Sequence, residues 1–255
     1  MSHSPSHSES KELQVKLFQY RGLVINSLND EIKDNSHKKT LVLAGILGLL
    51  HVDIQQGLWS SFRVHLEGAR DVIIACGGMR SLMESPGMAP LVLDFIFLVI
   101  TGDTSSLASK LLVETLPVEE LEFLILKHGG VGLAFRMCPP PLLVEVLRIN
   151  HLRSRASRST PDATESLQTE AFAILGRLDG FSADEWVESH DTLDGEFKNV
   201  AHMYQAAISL YGISSLQDCG ILQASCPPEE NCLALRGLTY ELACKVLCMQ
   251  RVKGV

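Results

Sequence analysis

The chain has 255 residues, with 22 Lys plus Arg against 30 Asp plus Glu and a formal charge of −8. That acidic excess argues against unaided nucleic-acid binding, which needs a basic face to displace counterions from phosphate. Hydrophobic residues make up 46% of the chain and charged residues 20%, which is enough apolar material for a core and excludes wholesale disorder; the length suits one large or two small domains.

Residues 1–10 read MSHSPSHSES, rich in Ser and His and without an apolar anchor, so a disordered lead-in is expected ahead of a helical domain over residues 11–255. They show neither the basic start nor the apolar stretch of a secretory signal, and the chain reads as intracellular. From Lys11 onward, Leu13, Leu17, Tyr20, Val24 and Leu28 recur at steps of three and four, which predicts one helix face turned to the core. Thr40–Val52 is apolar nearly all round and predicts a centrally buried helix whose Gly45 and Gly48 admit a close neighbour. Leu58–Cys76 carries the clearest pattern. Phe62, Leu66, Ala69, Ile73 and Cys76 form its inner stripe, Arg63, Glu67 and Arg70 are spaced for pairing on the outer face, and Gly77-Gly78 is expected to stop it.

Met79–Pro90, with two prolines and a glycine, reads as a loop; Leu91–Ile100 reads as an apolar helix and Thr101-Gly102-Asp103 as a break. Further helices are predicted over Ser105–Thr115, Val118–His128, Leu142–Leu152, Asp162–Leu178, Gly195–Tyr211 and Asn231–Gln250. No run shows sustained period-two alternation rich in β-branched residues. The expected class is all-α, a multi-helix bundle or an irregular array of antiparallel helical pairs joined by short turns such as Gly129-Gly130 and Cys138-Pro139-Pro140-Pro141. The longest apolar runs, Leu41–Leu50 and Leu91–Ile100, fall well short of the roughly 20 residues that cross a bilayer, so no membrane span is expected.

Catalytic and metal signatures are sparse. Gly129, Gly130 and Gly132 cluster, but no strand leads in and no Lys-Ser or Lys-Thr follows, so a helix-ending turn explains them better than a phosphate loop. GxSxG is absent. His65-Leu66-Glu67 matches half of a zinc-deaminase signature whose P-C-x-x-C half never appears, and His65 reads instead as a hydrogen-bonded residue flanking the apolar stripe. The seven cysteines, Cys76, Cys138, Cys219, Cys226, Cys232, Cys244 and Cys248, lack CxxC pairs and read as reduced buried thiols rather than a zinc cage or a disulfide framework. No metal and no cofactor is expected. One charge feature stands out. Arg148, Arg153, Arg155 and Arg158 cluster without an acidic residue, either as cations at a helix C-terminus running into a solvated loop, or as a nuclear import signal or a basic regulatory loop in which phosphate on Ser157 or Thr160 pairs with the arginines.

Residues 41–78 read LVLAGILGLLHVDIQQGLWSSFRVHLEGARDVIIACGG. An apolar helix leads through a polar turn to Trp59, then to His65, Leu66, Gly68 and Ala69 on a helix, then to the Gly77-Gly78 stop. This stretch resembles the fungal-specific transcription factor domain, the helical regulatory region that follows a binuclear zinc cluster in many fungal regulators. The resemblance implies a non-enzymatic regulator of transcription, placed in the nucleus with the cytoplasm as the alternative. It would work through protein partners, either a full-length zinc-cluster regulator or a second copy in a dimer, with a small-molecule effector as a further expectation. The family's zinc cluster needs six cysteines in a basic stretch, and no cysteine precedes Cys76, so direct nucleic-acid binding is not carried over. The family's domain usually runs longer, and a C-terminally shortened copy is expected. The residues themselves put packing ahead of catalysis: Gly68 is expected to admit a neighbouring helix and Trp59 to bury a large area. The competing reading is a helical enzyme or small-ligand binder whose site is assembled from residues distant in sequence.

Overall fold

The structure, a computed structural model, describes residues 15–16, 19–27, 30, 39–57, 59–129, 138–159, 164–189 and 195–222, apart from the side chains of residues 39, 40, 59, 60, 195 and 196. The expected lead-in over residues 1–10 and the helix over Asn231–Gln250 lie outside the described residues, as do Cys226, Cys232, Cys244 and Cys248. Among the described residues every regular element is helical, which bears out the all-α class. The chain divides into two compact units, Met1–Phe95 and Ile96–Val255.

In the first unit, residues 19–27 are helical and are followed by α1 (Lys39–Gln56), α2 (Trp59–Ala75), α3 (Gly78–Met83) and the start of α4 (Ala89–Thr104). Helix α1 buries Val42, Leu43, Ile46, Leu47, Leu49 and Leu50, and α2 lies along it with Phe62, Leu66, Ala69 and Ile73 buried. Arg63 donates to Glu67 at 2.9 Å on the outer face of α2, and Arg70 donates to Asp71. Gly77 and Gly78 both take left-handed backbone, φ 92° and 90°, a conformation that costs a residue with a Cβ, so the pair ends α2 as expected. The turn does not open a loop: Gly78–Met83 forms α3 and buries Met79 and Leu82. Two glycine expectations are corrected. Gly48 is exposed, and a Cβ at Gly48 or Gly68 meets nothing within 4 Å; the small residue fully buried on α2 is Ala69.

The first stripe is also corrected. Tyr20 and Val24, with Leu23, are 67%, 42% and 63% exposed, whereas Arg21, Gly22 and Ile25 turn inward. Asp53, fully buried on α1, needs a counter-charge, and Arg21 supplies it, which fixes the face the helix presents. Leu13, Leu17 and Leu28 lie outside the described residues.

The second unit holds the rest of α4, then 3-10 turns Ala108–Lys110 and Val113–Thr115, α5 (Val118–His128), α6 (Pro140–Ala156), α7 (Thr164–Asp179), α8 (Ala183–Glu188) and α9 (Gly195–Asp218). Helix α4 does not break at Thr101-Gly102-Asp103. The Asp103 carboxylate accepts the amides of Leu112 and Val113 at 2.9 and 2.8 Å, and those amides are therefore not available to the helix predicted over Ser105–Thr115, which is replaced by the two 3-10 turns. Helix α6 starts on prolines that need no amide partner and packs against α5, α7, α9 and both 3-10 turns. It is buried on nearly every side, through Leu142, Leu143, Val144, Val146, Leu147, Ile149 and Leu152. The short α8, unpredicted, is started by Ser182, whose hydroxyl accepts the Glu185 amide at 3.2 Å, and it sets Trp186 against Ala201 with Phe181 and Phe197 beside them.

Two measurements check this core. Leu147→Ala, at a fully buried position, is expected to cost about 3 kcal/mol in denaturant melts, against less than about 0.5 kcal/mol for Leu126→Ala on the exposed side of α5. Burial pushes the Cys138 thiol from its ordinary 9.0 up to about 12. Its contribution is therefore fully present below pH 9 and is lost as pH rises to about 12, because only the unfolded thiol ionises in that window. Relative to Cys138→Ala, the stability of the parent chain should fall by about 1.4 kcal/mol per pH unit across it.

Candidate functional site

The distinctive segment leads to a charged cluster in the first unit. His65, on the edge of the α2 stripe, places Nε2 3.5 Å from Asp53 Oδ2 and 3.5 Å from Arg21 Nη2. Arg21 Nη2 also donates to Asp53 Oδ2 at 3.2 Å and to Ser61 Oγ at 3.0 Å. That nitrogen has two hydrogens, and Asp53 and Ser61 take both, so the His65 contact is directed to the carboxylate. Asp53 Oδ1 lies 3.0 Å from the same nitrogen but outside hydrogen-bond geometry, and it holds Arg21 by charge alone. A catalytic relay needs a histidine whose opposite ring nitrogens face a carboxylate and a nucleophile. Here one nitrogen faces both Asp53 and Arg21, and the carboxylate is already neutralised. The cluster is an anchor for the helical residues 19–27. A second pair, His51 Nε2 to Asp94 Oδ2 at 2.9 Å, joins α1 to α4 within the same unit.

The other motif residues divide by what is described. Leu66 and Ala69 are buried in the α2 stripe, Gly68 is half-buried, and Gly77 and Gly78 form the stop. Trp59 begins α2, but its side chain lies outside the described residues. Sequence reasoning missed Arg21 and Asp53. Their signal was a lone acid closing the apolar stretch 41–54.

The four arginines are not gathered into one patch. Arg148, Arg153 and Arg155 sit on α6 and Arg158 just beyond it, each with a different partner. Arg148 donates to both Glu122 oxygens at 2.8 Å and to Glu145 at 2.6 Å, and its bond to Glu122 raises the guanidinium above its ordinary value. Glu145, 5% exposed, also accepts twice from Arg177 at 2.8 and 3.0 Å. Arg155 pairs with Glu170 and Arg158 with Glu114. Arg153 is buried: Nη1 reaches the Asp103 carbonyl at 3.0 Å, Asn150 Oδ1 at 3.2 Å and the Tyr211 hydroxyl at 2.6 Å, and Nη2 donates to the Ser106 carbonyl at 2.8 Å. The Tyr211 hydroxyl donates in turn to Asn150 Oδ1, and Asn150 Nδ2 donates to the Ile100 carbonyl at 2.9 Å. Burial raises the Tyr211 phenol above its ordinary value. Ser157 caps the end of α6, while Thr160 lies outside the described residues.

Among the described residues no three His, Cys, Asp or Glu side chains converge as a metal site would require, and no helix is long and apolar enough to cross a membrane. The described cysteines, Cys76, Cys138 and Cys219, are free thiols, and burial pushes both Cys138 and Cys219 upward, away from the nucleophilic thiolate.

Removing the anchor should show in stability. Asp53→Ala leaves the Arg21 charge without its partner and is expected to cost about 3 kcal/mol, with part recovered by adding Arg21→Met. His65→Gln should cost nearer 1 kcal/mol. Urea melts of the three variants check the order.

Comparison with known proteins agrees with the distinctive segment. The profile described as the fungal specific transcription factor domain matches residues 1–255. The phomenoic acid biosynthesis cluster-specific transcriptional regulator of Leptosphaeria maculans is 31% identical over 233 residues, 91% of this chain and 44% of the relative. The chain thus spans less than half the length of that regulator. No solved structure matches. With the motif residues on one helix and its stop, an all-helical fold and a match along its whole length, the chain belongs to the fungal-specific transcription factor domain family.

Proposed function

We propose that the chain is a non-enzymatic regulatory module of transcription, operating in the nucleus through protein contacts made by its first unit, the partner being a full-length zinc-cluster regulator or a second copy. The supporting observation is a run of exposed apolar side chains on one helix of the first unit. Among the described residues, Val15, Tyr20, Leu23, Val24, Leu41, Val64 and Ile74 of the first unit are large hydrophobics left in contact with water. Tyr20, Leu23 and Val24 share the outward face of one helix, whose inward face is fixed by the Arg21–Asp53 pair. Side chains so placed contribute to association rather than to folding. The acidic balance of the chain and the family match support the same reading, with nucleic-acid contacts left to a partner or to another module.

The test fuses the full chain to an unrelated DNA-binding module upstream of a reporter. Transcription is expected to change on fusion, and Leu23→Glu with Val24→Glu is expected to reduce that change about tenfold, the effect of roughly 1.4 kcal/mol of lost contact energy. Melting of the double variant should match the parent, since both side chains are exposed. A fusion that leaves transcription at the level of the DNA-binding module alone, or a double variant as active as the parent, sinks the proposal.

A further inference from the structure

The last turn of α6 grips the connector over residues 105–116 at three places. Arg153 Nη2 donates to the Ser106 carbonyl at 2.8 Å. The Ser157 hydroxyl donates to the Ser154 carbonyl at 2.8 Å and reaches the Ala108 carbonyl at 3.4 Å. Glu114, on the second 3-10 turn, receives the buried Ser154 hydroxyl at 2.9 Å and is ion-paired to Arg158. Of these groups Ser157 is the exposed hydroxyl, at the helix terminus and between Arg155 and Arg158, whose side chains are 38% and 55% exposed.

We propose that Ser157 is a phosphorylation site and that its modification releases the 105–116 connector from α6. A protein kinase with an acidic cleft suits the flanking arginines. In the transfer, a bond forms between Ser157 Oγ and the γ-phosphorus of a nucleoside triphosphate, the bond to the nucleoside diphosphate oxygen breaks, and the hydroxyl proton passes to the kinase's base. The product has lost the single hydroxyl proton that the Ser154 carbonyl accepts at 2.8 Å, and it places a charge of about −1.5 to −2 beside that carbonyl and the Ala108 carbonyl, 3.4 Å away, at the negative end of a helix dipole. The nearby guanidinium groups are engaged: Arg153 is held by Asp103, Asn150, Tyr211 and Ser106, and Arg155 by Glu170. The adjacent Arg158 is the easiest counter-ion to recruit, and its recruitment takes it from Glu114. One phosphate thus repels the Ala108 carbonyl and takes the Arg158 ion pair from Glu114, which keeps the Ser154 hydroxyl. This outcome is the reverse of a loop ordered by arginine–phosphate pairing, because the arginines already have carboxylate and carbonyl partners.

The full chain is prepared with phosphoserine at 157 and, as control, at the exposed Ser159. Amides of residues 105–116 are expected to exchange with deuterium about tenfold faster in the first and at the parent rate in the second, with cooperative melting kept in both. Arg158→Gln, which removes the ion pair from Glu114 without phosphate, should give part of the same acceleration and serves if the phosphorylated chain does not fold. Unchanged exchange overturns the proposal. So does slower exchange, as a new phosphate link to Lys110 on the connector would give. Phosphosite mapping of the native chain should find Ser157 modified under some growth condition, and its absence under all of them, or phosphate on Ser159 alone, counts equally against it.

Discussion

A helix enclosed on nearly every side must pair the charges it carries, and α6 is such a helix. Its apolar residues meet α5, α7 and α9, but Glu145, Asn150, Arg153 and Ser154 are buried with them. An unpaired charge in such a place costs several kcal/mol, so the surrounding elements are positioned by what these four groups require. Asn150 and Arg153 bind the carbonyls at the end of α4 and Ser106, with Tyr211 of α9 closing the set. Glu145 draws Arg177 from α7. Dispersion and burial supply the bulk of the stabilisation, and these polar contacts select which helix faces meet.

The first unit follows the same rule with fewer groups. Apolar packing along α1 and α2 leaves one buried carboxylate, Asp53, and its demand for a cation decides which side of the preceding helix turns inward. The apolar stripe on that helix consequently faces water, a choice that hydrophobic spacing alone would have reversed. His65 is a further contact to the same carboxylate, which accounts for a polar residue beside an apolar stripe without invoking catalysis.

This contrast marks what could be read from the residues. Where apolar spacing is unopposed it was sufficient: Val118–His128 was predicted to the residue, and the α2 stripe is buried at Phe62, Leu66, Ala69 and Ile73. Where a side chain competes with the backbone, spacing failed. Asp103 looked like part of a breaker because its partners, the amides of Leu112 and Val113, are nine and ten residues away, beyond any helical period. Helix α8 was missed although its signal was present, a Ser182 with Glu185 three residues on, the pattern of a capping box. The arginine cluster was legible in part: Arg153 and Arg155 do lie in the last turn of α6, as cations at a helix C-terminus. Four like charges close in sequence read as one patch, but on a helix they point in different directions and each finds an acid or carbonyl from a different element. Of the charged anchor only His65 was singled out in advance, because Arg21 and Asp53 are 32 residues apart and pair only in space.

The row Glu122, Arg148, Glu145 and Arg177 alternates in sign across α5, α6 and α7 and sums to zero, so it adds nothing to the chain's net charge of −8. With Glu145 nearly sealed from water, salt screens its contacts far less than it screens pairs at the surface. The hydration that opposes such pairing weakens on warming, whereas apolar stabilisation levels off. The three-helix group joined by this row therefore draws a growing share of its cohesion from charge as temperature rises.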